Sequence, residues 1–208
     1  MSEDPRGMRD AEMPARRRVR ADARRNQDAV LEAAKAIFLT AGVDAPARAI
    51  ATAAGVGVGT LYRRFPTRSD LVAAVFRHEV DACAAEAASL AATNPPGEAL
   101  AHWLRRYAGF IATKRGLAAA LHSGDPAFDG LPVYFRAHFE PALKSLLDAA
   151  ATAGEVRGDI APYDLLRAIG NLSSAQGDGA DAHAASIVDL LIDGLRFGAT
   201  AAAKPTAL

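Results

Sequence analysis

Residues 46–68 read PARAIATAAGVGVGTLYRRFPTR. Two short helices, Pro46–Ala54 and Val58–Phe65, joined at Gly55-Val56 fit a helix-turn-helix. Ala51 is small where the helices must cross, and Gly55 can take the left-handed conformation of a tight turn. Val56 and Leu61 supply apolar contacts that fasten the second helix to the first. That helix then exposes Gly57, Val58, Gly59, Thr60, Tyr62, Arg63 and Arg64. Small residues at its start allow close backbone approach to a duplex, and the hydroxyls and arginines suit phosphates and base edges. Arg68 opens the next helix, where its side chain and the helix N-terminus can share a phosphate. Phe65 reads as a core residue. The rival reading of GVGVGT as a phosphate loop fails because no Gly-Lys-Ser/Thr is present. A dinucleotide loop would need a preceding strand, and an alanine-rich helix precedes this one.

Upstream, a helix is expected after Asp22, with Val30, Ala34, Ile37, Phe38 and Ala41 on one face and Gly42 ending it. Asp44 and Pro46 look like a capping carboxylate and a first-turn proline. Downstream, Thr67-Arg68-Ser69-Asp70 has the capping-box form for a long helix over Ser69–Ala92. Asn94-Pro95-Pro96-Gly97 is a linker. Helices are then expected over Glu98–Thr113, Gly116–His122, Pro132–Ala153, Pro162–Gln176 and Ala184–Thr200. Pro141 should kink or divide the third of these. Gly154, Gly158 and the Gln176–His183 stretch read as turns. No strand is convincing, so the fold class is all-α.

Composition agrees. Of 208 residues, 50 are alanine, which favours helices and is depleted in strands. The longest run without charge, Ala49–Tyr62, is too short to span a membrane. No secretory signal is visible, and the single cysteine, Cys83, suits a reducing interior, so a cytoplasmic protein is expected. The zero net charge hides an asymmetry: Pro14–Arg68 carries 11 basic residues against 4 acidic ones. A basic N-terminal third points to a polyanion partner. The arginines at 16, 17, 18, 20, 24 and 25 extend that charge into an arm able to reach phosphates or a minor groove.

The stretch Arg24–Val80 resembles the tetracycline-repressor (TetR) family of bacterial transcriptional regulators. The resemblance rests on AIFLTAGVDAP and on IATAAGVGVGTLYRRFPTRSDLVAAVF, which holds the signature G-V-x-x-x-T-L-Y-x-x-F. Its Asp-Ala-Pro and Tyr-Arg-Arg-Phe-Pro-Thr-Arg wording is similar to a subgroup frequent in actinobacteria. The resemblance implies a three-helix DNA-binding domain over residues 22–70; the stretch before it, 1–21, carries charges, two prolines and no apolar periodicity and reads as a disordered arm. A helical ligand-binding and dimerisation domain would follow over 71–203. It implies that Val58, Gly59, Thr60, Tyr62 and Arg64 face DNA, with Arg48 reaching from the preceding helix and Arg68 gripping a phosphate. It further implies a repressor that binds a palindromic operator as a homodimer and answers to a small-molecule effector.

One helix-turn-helix reads a short half-site, so pairing of two chains is expected. Leu165, Leu166, Ile169 and Leu172 stripe one candidate interface helix; Ile187, Leu190, Leu191, Gly194 and Gly198 stripe the other. The middle of the chain concentrates aromatics and histidines. His102, Trp103, Tyr107, Phe110, His122, Phe128, Tyr134, Phe135, His138 and Phe139 are therefore candidate effector-lining residues. No metal site, cofactor or membrane partner is expected. No serine-nucleophile elbow, HExxH or CxxC motif is present, so catalysis has no visible basis. The alternative reading is a helical protein-interaction module that no longer binds DNA.

Overall fold

The structure, a computed structural model, describes residues 25–115, 123–173 and 180–202. Among these, α helices and short turns account for the regular structure, with no strand. The chain divides into two compact units, Met1–Leu71 and Val72–Leu208.

In the first unit, α1 spans residues 25–41. Val30, Leu31, Ala34 and Phe38 fall on its buried face. Ala41, expected there, is exposed, and Leu31 takes the place on the stripe that a 3.6-residue period assigns it. Gly42 ends the helix at φ +79°, its N–H donating to the Phe38 carbonyl at 3.1 Å. Helix α2 runs over Ala47–Ala53 with Pro46 as its N-cap and no side-chain cap. The expected Asp44 cap is therefore not formed; proline already fixes the entry backbone and has no side-chain acceptor. Gly55 turns the chain at φ +67°, and the Val56 N–H closes the turn on the Ala51 carbonyl at 2.9 Å. Helix α3, Val58–Arg64, follows. Ile50, Ala51, Leu61 and Phe65 join the α1 face to complete this core.

Helix α4, Arg68–Thr93, opens on the expected capping box. Asp70 N donates to Thr67 Oγ1 at 3.0 Å, and Thr67 N donates to Asp70 Oδ2 at 3.0 Å, so each side chain satisfies the other's free backbone donor. Helix α4 starts in the first unit and continues into the second. The linker is shorter than expected: Asn94 closes α4 on the Leu90 carbonyl, and α5, Pro96–Arg115, begins at once. Proline at a helix start gives up no hydrogen bond, which is why the helix begins before Glu98.

A 3₁₀ turn, Pro126–Phe128, capped by Asp125, leads to α6, Leu131–Thr152. Pro141 does not divide α6. Its missing N–H leaves the Ala137 carbonyl without a helical donor, but both residues are exposed and water can serve. Helices α7, Pro162–Leu172, and α8, Ala180–Ala202, complete the unit. The described part of the expected Gln176–His183 turn, from Ala180 on, is already helical. The expected Gly116–His122 helix lies outside the described residues. Helix α5 packs against α6, α7 and α8, and α7 against α6 and α8, which puts α5 at the centre.

Candidate nucleic-acid interface

The α3 helix sorts its residues by face. Leu61 and Phe65 are buried, and between them Tyr62 is 52% exposed with Arg63 and Arg64 open to solvent. Gly57, Gly59 and Thr60 are exposed, Val58 is half-buried, and Arg48 stands exposed on α2. The outer surface of α2 and α3 therefore gathers hydroxyl, aromatic and cationic groups, with no acidic residue in either helix.

Two of the arginines have partners within the unit. Arg64 Nη2 donates to Gln27 Oε1 on α1. The Arg68 guanidinium lies over the Phe38 ring, 6.0 Å from its centroid, and Arg68 is half-buried with Nη1 lacking any hydrogen-bond partner. The sequence points to both arginines and to Phe38 as a core residue, but not to Gln27 or to either contact, because those contacts join residues far apart in the chain.

The ten candidate effector residues do not form one group. Trp103, Tyr107, Phe110, Phe135 and Phe139 build an aromatic cluster between α5 and α6. Phe139 sits at its centre, with ring centroids 5.8 Å from Trp103, 5.2 Å from Tyr107, 5.2 Å from Phe110 and 4.7 Å from Phe135. Phe76 of α4 joins through Phe110 at 5.6 Å, a member missed because it lies well before the aromatic-rich stretch that begins at Trp103. The polar ends are satisfied internally: Trp103 Nε1 donates to the Cys83 carbonyl at 2.8 Å and Tyr107 Oη to the Leu166 carbonyl at 3.2 Å. Burial pushes the Tyr107 phenol above its usual range and the Cys83 thiol up to about 12.

Tyr134 and His138 sit apart from these rings. Tyr134 Oη donates to Asp81 Oδ1 at 2.6 Å, His138 stacks on the Tyr134 ring at 4.0 Å, and His138 Nε2 lies 3.6 Å from Asp81. Arg77 lies 5.9 Å from the Tyr134 ring centroid. This polar group ties α4 to α6. Burial and the Asp81 hydrogen bond push the Tyr134 phenol up to about 12. His102 is exposed, one residue along α5 from the buried Trp103, so it points away from the cluster. Phe128 is buried in the 3₁₀ turn, and His122 lies outside the described residues.

The candidate pairing residues also divide. Leu165, Leu166 and Ile169 are buried in their own chain, which removes them from any docking face. Gly170, beside them, faces the Tyr107 hydroxyl, with which an added Cβ would make ordinary van der Waals contact at 3.7 Å. On α8, Ala184, Val188, Ile192 and Leu195 face inward. The other stripe stays outside: Leu190 is 67% exposed, Phe197 is 77% exposed, Gly194 is exposed, and Ile187 and Leu191 are half-buried. Leu172 of α7 is exposed as well. The surroundings of Gly198 lie outside the described residues. Phe197 was overlooked by sequence reading although it stands one heptad after Leu190. No described helix is long and apolar enough to cross a membrane.

A tri-helical head with an exposed second helix of this kind, joined to an all-helical body, defines a helix-turn-helix transcriptional regulator. The chain belongs to the TetR family of bacterial regulators. Residues 30–75 match the model for bacterial regulatory proteins of the tetR family. Residues 95–197 match the C-terminal domain of SbtR-like transcriptional regulators. Among solved structures, a TetR transcriptional regulator from Streptomyces coelicolor is 39% identical with a TM-score of 0.69; the match covers 87% of this chain and 99% of that one. A TetR regulatory protein from Mycobacterium vanbaalenii is 36% identical with a TM-score of 0.65, covering 86% and 99%. The FadR regulator of Bacillus subtilis in complex with stearoyl-CoA shares the fold at 15% identity and a TM-score of 0.58, covering 82% and 97%. No curated protein is a significant match. The protein is thus a DNA-binding transcriptional regulator, and members of its family are not enzymes.

Proposed function

We propose that this chain is an effector-responsive repressor that binds a palindromic operator as a homodimer through α2 and α3. The observation that carries the reading is the sorting of α3: Leu61 and Phe65 hold the helix to its core while Thr60, Tyr62, Arg63 and Arg64 are left on the outside. Gly57, Val58 and Gly59 let its start approach a groove wall, with Arg48 and Arg68 at the flanks. Binding by these cations releases counterions, so affinity should fall with salt by about 0.9 log unit per log unit of salt for each phosphate contacted.

In this reading the effector displaces part of the packing among Trp103, Tyr107, Phe110, Phe135 and Phe139, rings that otherwise lie mostly buried against one another. An apolar surface with few polar groups is the usual chemistry of small-molecule capture. The stearoyl-CoA complex of the Bacillus relative supports it by showing that the fold accommodates a ligand. The effector would act by preferring the state of the dimer that fits the operator less well.

The test is a titration of the full-length protein with labelled DNA from upstream of its own coding sequence. Replacing Tyr62 by Ala should weaken binding about tenfold or more. The melting temperature should hardly change, because the side chain is more than half exposed. A Tyr62→Ala protein that binds like the parent would remove α3 from the interface and leave the interaction-module reading in its place.

A further inference from the structure

Arg64 is the last residue of α3, and its guanidinium is not loose. Nη2 donates to the side-chain oxygen of Gln27, a half-buried residue on α1 that lies 37 positions earlier. The core brings the two together. Gln27 is one helical turn before the buried Leu31, and Arg64 is one turn after the buried Leu61. Each polar side chain therefore stands on the outer edge of a packed leucine.

We infer that Gln27 is a positioning residue for DNA binding, acting through Arg64; this rests on the reading of α3 as the DNA-facing helix. A free arginine must surrender rotamer freedom when it grips a phosphate or base. Arg64 has surrendered part of it beforehand, since its guanidinium is tied to the amide of the half-buried Gln27. The choice of amide matters chemically. A guanidinium has five N–H donors, so one bond to Gln27 leaves the others for DNA. The amide is neutral, so the full positive charge also remains available. A carboxylate at the same position would hold Arg64 as firmly but would compete with phosphate for its charge.

The experiment is anisotropy titration of the full-length protein, over a range of salt, against a labelled duplex enriched from a random pool by the unaltered protein. Arg64→Ala should weaken binding about tenfold and reduce the salt slope by about 0.9. Gln27→Ala should weaken it several-fold with the slope unchanged, because no charge is lost. Gln27→Glu should weaken binding and also reduce the slope by about 0.9, which a merely structural role for residue 27 would not produce. In the Arg64→Ala background, Gln27→Ala should have no further effect. Wild-type binding by Gln27→Ala, or an undiminished effect of it once Arg64 is gone, overturns the positioning role. Wild-type affinity and slope for Arg64→Ala would instead overturn the assignment of Arg64 to the interface, and the positioning role with it.

Discussion

Cys83 illustrates how far burial sets chemistry at a single residue. Its thiol is buried in the second unit, and its own carbonyl accepts a hydrogen bond from the Trp103 indole N–H. Burial disfavours the thiolate, and the nearby Glu86 and Glu79 carboxylates add to the shift against the opposing pull of Arg106, so the pKa rises to about 12. Thiolate is the reactive form, so the folded protein at neutral or mildly alkaline pH should be almost inert to thiol reagents. Labelling followed by mass spectrometry should show slow modification in buffer and rapid modification in denaturant. Fast labelling of the native protein would mean that the Trp103 region opens readily. The same burial reaches Tyr107 and not His102, although the two residues are on one helix. Their types suggested a shared site; only the facing of α5 separates them.

At the scale of the element, the helix-turn-helix tests the difference between two glycines. Gly55 has φ +67°, and a Cβ added there would meet nothing within 4 Å. Gly55→Ala should therefore destabilise the protein by about 1–2 kcal/mol through backbone strain alone, with no clash to relieve. Urea unfolding of the two proteins measures this. Gly59 lies inside α3, also with open space around it. Gly59→Ala should stabilise the helix by up to about 1 kcal/mol, since alanine restricts the unfolded chain. If the start of α3 approaches a groove closely, as proposed, the same methyl should weaken DNA binding. Stability and affinity would then move in opposite directions. The two elements on either side were legible because their signals are local: the Thr67–Asp70 capping box and the Gly42 stop involve residues within one turn of each other. The Asp44 cap failed on an equally local point, the occupancy of the cap position by Pro46.

For the whole molecule, α8 raises the question of what covers its second face. Ala184, Val188, Ile192 and Leu195 bury one stripe in their own chain, while Ile187, Leu190, Leu191, Gly194 and Phe197 run along the other side. A helix apolar on both faces is normally covered on both. Burying a side chain such as Leu190 or Phe197 stabilises by about 1.5–3 kcal/mol, enough for a few of them to favour association. In the proposed dimer, the double substitution Leu190→Asp and Phe197→Asp should yield monomers with unchanged helix content. Sedimentation and circular dichroism provide the two readouts. A parent protein that is itself monomeric at working concentrations would contradict the pairing.

Local chemistry determined most of what the sequence alone could determine here. Helical periodicity, a glycine at a positive-φ turn, a reciprocal cap and the Thr60–Phe65 pattern all act over a few residues, so they can be read without knowing what lies opposite. Tertiary structure decided the rest by burial. It placed Leu165, Leu166 and Ile169 inside their own chain and left Phe197 outside. It also separated Tyr134 and His138 from the aromatic cluster and brought Gln27 to Arg64. Each of those outcomes depends on which face of a helix meets a neighbour distant in sequence, and residue type does not encode that choice.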